Sequence, residues 1–323
     1  MLPQFDYVRP GSLSEAIEHG ATDGAILHAG GIDLLGCLRD GVFTADKLVA
    51  IAHLAELRGI DETRDGGLRI GALTTLSEIA AHPLIGERYT VLSQGAGSAA
   101  SPQLRNQGTI AGNLCQRPRC WYFRGDFHCL RKGGSMCYAV AGANQYHCIF
   151  GGDRCYIVHP SDTAPALVAL DARVRIVGPS GQRVVPLDSF FVPPGQDIRR
   201  ETILEPGDLV VEVLLPPPGM GLRSVYRKVR ARGVWDFALA GAAAALTISD
   251  GRVTGGRLVL SGVAPIPWRA AEAERALAGS RLDAETIRRA AQACVADARP
   301  MTHNGYKVDL VRGVVEETLR SLA

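Results

Sequence analysis

Between Leu114 and Cys155 the chain loses almost all periodicity, and six of its eight cysteines fall inside that stretch: Cys115, Cys120, Cys129, Cys137, Cys148 and Cys155. A structureless segment longer than about 15 residues is uncommon inside a compact domain unless it has a function. Cys37 and Cys294 lie alone. Met1 to Pro10 shows no basic region followed by an apolar core, so no secretion signal is read there. In such a chain a cysteine cluster points to metal rather than to disulfides.

The spacing is Cys115-x4-Cys120-x8-Cys129-x7-Cys137-x10-Cys148-x6-Cys155. Tight structural zinc modules usually take paired ligands two to four residues apart, and only Cys115-x4-Cys120 fits that pattern. Iron–sulfur clusters accept four thiolates at more varied spacing, because the inorganic core holds the geometry. The stretch also carries Arg117, Arg119, Arg124, Arg131 and Lys132. Cations and N–H donors stabilise an anionic cluster, although any one of these charges reads equally as a solvated surface group.

Regular structure is legible on either side. Asp6-Tyr7-Val8 reads as strand, Ser12-Leu13-Ser14-Glu15 as a capping box opening a helix, Ala25–Ala29 as strand, and Lys47–Ile51 as another. This alternation resembles a small βαβ unit. Leu68–Ala72 reads as strand, Leu76–Ala81 as helix, Arg88–Ala100 as a second helix, and Val174–Val177 with Gln182–Pro186 as a hairpin. Pro216-Pro217-Pro218-Gly219 is the best domain boundary. Beyond it, Val225–Lys228, Ala238–Ile248 and Arg257–Leu260 read as strands, followed by helical patterns at Ala270–Leu277, Asp283–Asp297 and Lys307–Leu322. With 323 residues, 21% charged residues and a formal net charge of +2, the chain has the balance of an ordinary globular protein. No nucleic-acid partner is expected from that balance. Phe237–Ile248, the longest apolar stretch, is too short to insert in a membrane.

Two glycine loops stand out. His28-Ala29-Gly30-Gly31-Ile32-Asp33 follows an apolar strand and precedes a helix start. Successive N–H groups at such a place can form an anion-binding nest. Gly108-Thr109-Ile110-Ala111-Gly112-Asn113 offers permissive backbone, a hydroxyl and an amide, donors suited to phosphate or ribityl oxygens. Neither is a G-x-G-x-x-G fingerprint, and each alone reads as a plain turn.

Together with Ser101-Pro102-Gln103-Leu104-Arg105-Asn106, the pair resembles the FAD-binding domain of the xanthine dehydrogenase and carbon monoxide dehydrogenase flavoproteins. Ile70–Thr74, His159-Pro160-Ser161-Asp162, Tyr226–Arg230 and Ser261–Pro265 match in the same order, so the resemblance covers nearly the whole chain. It implies an α+β fold. A two-part FAD-binding domain (residues 1–217) would hold a small βαβ subdomain at 1–58 and a mixed or antiparallel sheet subdomain at 59–217, with the cysteine loop at 114–156. A C-terminal α+β domain (218–323) with a three-stranded sheet and helices would follow. Carried over by position, the FAD contacts would be Leu27, His28, Ala29, Gly30, Gly31, Ile32, Asp33 and Leu34 in one loop, and Thr109, Ile110, Ala111, Gly112 and Asn113 in the other. Asp162 would close over the flavin side, Lys228 would lie near the ring, and Val210 and Ser101 would add contacts. Without the resemblance, Asp162 reads as a turn or cap residue and Lys228 as a strand-end surface charge.

Most such flavoproteins lack the cysteine insertion. Its presence resembles the branch of 4-hydroxybenzoyl-CoA reductase and the periplasmic aldehyde oxidoreductase, in which the flavin subunit binds a [4Fe–4S] cluster. Arg119–Arg124 and Gly134–Cys137 look like the flanks of the first and third ligands. On that match the ligands are Cys120, Cys129, Cys137 and Cys155, with Cys148 the competitor for the fourth place. The resemblance further implies an oxidoreductase subunit with no catalytic residue of its own for the organic substrate. Its partners would be a molybdopterin-binding large subunit, a [2Fe–2S] small subunit and an external electron acceptor such as ferredoxin, NAD or quinone. A cytoplasmic location is expected, with co-export to the periplasm beside a partner as the alternative. Two other readings remain open on the residues: a zinc-stapled assembly or binding protein without redox activity, and a stand-alone flavin oxidase.

Overall fold

The computed structural model describes residues 2–323. Its first part runs β1 (Asp6–Val8), α1 (Leu13–Gly20), β2 (Ala25–His28), α2 (Leu34–Arg39) and β3 (Lys47–Ala50). β3 lies between β1 and β2 and is parallel to both, the arrangement a βαβ alternation requires. Ser12 caps α1 by accepting from the Glu15 amide at 3.2 Å. The Glu15 carboxylate turns instead to the Gly11 amide, at 2.7 Å, so only half of the expected capping box forms.

Next come β4 (Ile60–Glu62), β5 (Leu68–Gly71), α3 (Leu76–Ala81), α4 (Pro83–Arg88), α5 (Thr90–Ser98), α6 (Pro102–Arg105) and α7 (Ile110–Leu114). The helix expected from Arg88 to Ala100 forms as α5, trimmed at both ends and set off from α4 by Tyr89. Tyr89 leaves helical geometry (φ −135°, ψ 48°), and its hydroxyl donates to the Pro216 carbonyl at 2.7 Å. After α8 (Trp121–Arg124) and α9 (Thr163–Ala169), the hairpin β6 (Arg173–Gly178) and β7 (Gly181–Pro186) forms where the sequence placed it, and β8 (Leu209–Leu215) follows. These strands make an antiparallel sheet in the order β4-β5-β8-β6-β7.

The last part contains β9 (Leu222–Val229), β10 (Ala240–Ser249), β11 (Arg252–Ser261), β12 (Trp268–Arg269), α10 (Ala271–Leu277), α11 (Ala284–Ala293) and α12 (Tyr306–Arg320). The three expected strands form the body of an antiparallel sheet, and the two-residue β12 extends its edge. In β10 successive side chains face opposite sides. Ala243 and Ala245 pack with Leu92 and Val168 from α5 and α9, whereas Ala242, Ala244 and Leu246 pack with Ile287 and Val315 from α11 and α12. Small residues on both faces let helices approach the strand from either side. The same packing joins the two halves of the chain: Tyr226 and Val259 share a core with Leu92 and Ile110, and the Tyr226 amide donates to Gln94 Oε1 at 2.7 Å.

From Leu114 to Cys155 the regular structure is limited to the end of α7, the short α8 and one 3-10 turn, Leu130–Lys132. The segment folds over a small core of Phe123 and Cys129 against Cys37 and Val42. It is clamped from the C-terminal part. Asn304 Nδ2 donates to the carbonyls of His147 (3.0 Å) and Cys148 (3.1 Å), and Lys307 Nζ donates to those of Tyr146 (3.1 Å) and Gly262 (2.7 Å). Among the described residues no helix is long and apolar enough to cross a membrane.

Candidate functional site

A cleft of about 1210 Å³ runs between the βαβ unit, the β5–α7 region and β8. That is larger than the usual small-ligand pocket of roughly 300–1,000 Å³, and suits an extended dinucleotide. Its wall includes Leu27, Ala29, Gly30, Gly31, Ile32, Asp33 and Leu34 from one glycine loop, Thr109, Ala111, Gly112 and Asn113 from the other, and Asp162 and Val210. The amides of Gly30 through Leu34 have no backbone acceptor among the described residues. Five successive free donors beside a cleft form a ready anion site, which fits a pyrophosphate.

The two loops touch. A Cβ on Gly30 would stand 1.9 Å from the Gln107 carbonyl oxygen, so only glycine allows this approach. Gly31 has φ +71°, and a Cβ there would meet His28 Nε2 at 2.7 Å and Leu35 Cδ1 at 3.0 Å. Thr109 caps α7 by accepting from the Gly112 amide at 3.2 Å. Asn113 Oδ1 accepts from Ser161 Oγ (2.5 Å) and Thr163 Oγ1 (2.6 Å), which fixes the orientation of its amide.

Four of the expected contacts do not line the cleft. Ile110 is fully buried in the main core, and its amide is spent on the Thr74 carbonyl. His28 packs edge-on to Tyr7, with both ring nitrogens unpartnered among the described residues. Ser101 caps α6 by accepting from the Leu104 amide, and Lys228 lies behind Asp162.

Asp162 stands at the N-cap position of α9 but does not cap it with its side chain, which is buried and turned to other partners; the residue is 4% exposed. One carboxylate oxygen accepts from Tyr226 Oη at 2.7 Å and the other from Lys228 Nζ at 2.8 Å. Lys228 also donates to the Ser98 carbonyl at 3.1 Å, so it is a buried partner rather than a surface charge. Burial pushes the Asp162 carboxyl above the usual carboxylate range, against the pull of Lys228 and Tyr226. Sequence reasoning gives Tyr226 no role, though its spacing from Lys228 along one strand puts both on one face.

A second, narrow cavity is lined by Cys120, Cys129, Cys137 and Cys155, together with Phe123, Arg131, Tyr138 and His147. Neither Cys115, packed near the main core, nor Cys148, 1% exposed, is part of that lining. Burial pushes the Cys120 thiol up to about 12, and His147 Nε2 lies 3.3 Å from its sulfur. Among the described residues no three Cys, His, Asp or Glu side chains converge tightly enough for a single ion. Four cysteines round one cavity are nevertheless the donor set that thiolate-bound clusters use. Arg131, with 1% of its side chain exposed, donates to Glu201 Oε1 at 2.5 Å, while its Nε and Nη2 lack any acceptor among the described residues. Unused cationic donors beside four thiols fit an anionic group.

Asp33 ties the two cavities together. Its Oδ1 holds Arg119 at 2.8 Å and Arg124 at 2.7 Å, and its Oδ2 accepts from the Arg117 amide at 2.7 Å. Arg117 also pairs with Glu201 at 2.8 Å. Arg117, Arg119 and Arg124 are thus engaged by Asp33 and Glu201, and the buried Arg131 lines the cysteine cavity. A third cavity of about 250 Å³ lies between Cys120 and Asp162, walled by Trp121, Tyr146 and Phe237. Sequence spacing gave no sign of these aromatic walls, because they come from separate loops.

Compared with known proteins, residues 3–218 match the family described as the FAD binding domain in molybdopterin dehydrogenase, and residues 224–322 match the CO dehydrogenase flavoprotein C-terminal domain. The chain is 39% identical over 321 residues to the aldehyde oxidoreductase FAD-binding subunit PaoB of Escherichia coli, covering 98% of this chain and 97% of that one. It is 29% identical to the carbon monoxide dehydrogenase medium chain of Hydrogenophaga pseudoflava, over 92% of this chain and 88% of that one. A solved structure of carbon monoxide dehydrogenase from the same organism, lacking the Mo-pyranopterin moiety, superposes with a TM-score of 0.79 at 29% identity, covering 100% of this chain and 98% of that one. The chain therefore belongs to the FAD-binding medium subunits of the xanthine dehydrogenase and carbon monoxide dehydrogenase family, and is an oxidoreductase subunit.

Proposed function

We propose that this subunit carries a [4Fe–4S] cluster as well as FAD, and passes electrons between the molybdenum and [2Fe–2S] subunits of a hydroxylase or dehydrogenase complex and an external acceptor. The observation that carries this reading is the convergence of Cys120, Cys129, Cys137 and Cys155 on one cavity, joined to the flavin cleft by the cavity of about 250 Å³ that shares Cys120 with the one and Asp162 with the other. FAD supplies the exchange of two electrons with one partner and of single electrons with another.

The chain's own residues bind and orient. The free amides of Gly30 to Leu34 would hold the pyrophosphate, and Asn113, held by Ser161 and Thr163, lines the cleft with its amide. Asp162, fixed by Tyr226 and Lys228, forms a rigid polar wall at the end of the cleft nearest the cysteines. Cys120, Cys129, Cys137 and Cys155 would hold the cluster as thiolates, Cys129 and Cys155 from buried positions and Cys120 and Cys137 from partly buried ones. Residues 1–217 serve as the FAD-binding unit and 218–323 as the domain that clamps the cysteine loop. Similarity to named subunits of larger enzymes supports a heterotrimeric complex with a molybdopterin-binding and a [2Fe–2S] subunit.

The test is cofactor analysis of the complex purified through a tag on this subunit. Acid should release FAD, with four irons and four sulfides assigned to this chain after subtraction of the small subunit's clusters. Two further subunits should co-purify. FMN in place of FAD, zinc in place of iron, or a lone chain that oxidises a substrate unaided would overturn the reading.

A further inference from the structure

Among the described residues, Arg131 is the one Lys, Arg, Asp or Glu side chain lining the cysteine cavity. Its burial is unusual for what it gains. One nitrogen, Nη1, donates to Glu201 Oε1 at 2.5 Å and to the Arg200 carbonyl at 3.3 Å, while Nε and Nη2 are buried without an acceptor. Glu201 also pairs with Arg117 at 2.8 Å. Two guanidiniums therefore share one carboxylate, and the inner one keeps positive charge and unused donors at the cavity. Buried polar groups are seldom left unpaired, and a cation is the costliest to leave so.

We propose that Arg131 is a positioning and tuning residue for the cysteine-bound cluster, its Nε–H and Nη2–H donating to sulfur and favouring the reduced, more negative form. The proposal rests on the reading that this cavity holds a [4Fe–4S] cluster. Four thiolates make such a cluster anionic, and each added electron increases that charge. N–H donors to its sulfurs therefore stabilise the reduced state more than the oxidised one and raise the potential. Glu201 orients the guanidinium, and Arg200 closes the outer side.

The experiment uses the assembled complex with Arg131→Lys and Arg131→Met. Lysine keeps the charge and can keep the Glu201 pair, but it has no second nitrogen to turn into the cavity. Iron and FAD content are measured first. The cluster is then titrated with dithionite under electron paramagnetic resonance, and exchangeable-proton couplings are recorded in H2O and D2O. Both variants should retain iron and FAD, shift the midpoint potential to more negative values, and lose a strongly coupled exchangeable proton. An Arg131→Lys potential and couplings equal to wild type would show that charge alone matters and overturn the donor role. Loss of iron from both variants with FAD retained would make Arg131 a structural staple and overturn it too. Wild-type complex without iron in this subunit would instead fail the underlying reading, and this proposal with it.

Discussion

Lys228 and Asp162 form the most sheltered ion pair in the molecule's candidate site, with side chains 3% and 5% exposed. Removing one member of a buried pair leaves the other as an uncompensated charge, which costs roughly 3–5 kcal/mol. Lys228→Met should therefore lower stability by that order in urea unfolding. Lys228→Met with Asp162→Asn should recover much of it, since a neutral amide is cheaper to bury. A double variant no more stable than the single one would show that the pair is held by something other than mutual charge. Gly31 makes a different demand. Its φ of +71° costs an L-residue about 1–2 kcal/mol, and a Cβ would press on His28 and Leu35 rather than on a phosphate. Gly31→Ala should thus weaken flavin retention by deforming the run of free amides, read as FAD per chain after gel filtration. Full FAD content would mean that the run does not bear the pyrophosphate. From sequence alone Gly31 reads as a place where backbone nears ligand; the positive φ and the packing behind it needed coordinates.

At the level of elements, the cysteine segment is held by side chains rather than by ladders, so its six cysteines should separate into two classes. Ser at Cys120, Cys129, Cys137 or Cys155 should lower iron and erase the cluster's spectrum. Cys115→Ser and Cys148→Ser should keep both, because neither lines the cavity. FAD should be partly retained throughout, since Thr109–Asn113 precede the segment and Asn113 is fixed by Ser161 and Thr163. Loss of iron from Cys148→Ser with retention in Cys155→Ser would reverse the fourth ligand. Elements with strong periodicity were legible in the sequence: the βαβ alternation, the β6–β7 hairpin and the alanine-rich β10 all reflect local rules of spacing and turn chemistry. The break at Tyr89 was not legible, because it answers to the Pro216 carbonyl from a distant strand end. The cysteine cavity was legible only as a set of ligand types. That Arg117, Arg119 and Arg124 turn toward Asp33 and Glu201, leaving Arg131 at the thiols, depends on contacts far apart in the chain.

Across the whole molecule, the C-terminal part acts as a clamp, and Lys307 is its most exacting member. It lies at the start of α12, 1% exposed, and donates to the Tyr146 and Gly262 carbonyls without a carboxylate partner among the described residues. Burial pulls its pKa down from 10.5 to about 8. Below about pH 8 both folded and unfolded chains carry the proton, and the folded state bears the full cost of burying the charge. Between about 8 and 10.5 the folded chain releases the proton while the unfolded chain still holds it. The unfolded state then binds more protons, so this residue's contribution to stability rises with pH across that window. At about 1.4 kcal/mol per pH unit, the rise is at most roughly 3–4 kcal/mol. Other groups titrate in the same range, notably the tyrosines, so the measurement is a difference. Unfolding free energies of wild type and Lys307→Met are followed from about pH 7 to 10.5, and the wild type should gain on the variant above about pH 8. Parallel curves would mean that Lys307 keeps its ordinary pKa and that water reaches it. Because Tyr146 adjoins His147, which lies against Cys120, iron retention in Lys307→Met should fall before FAD retention does.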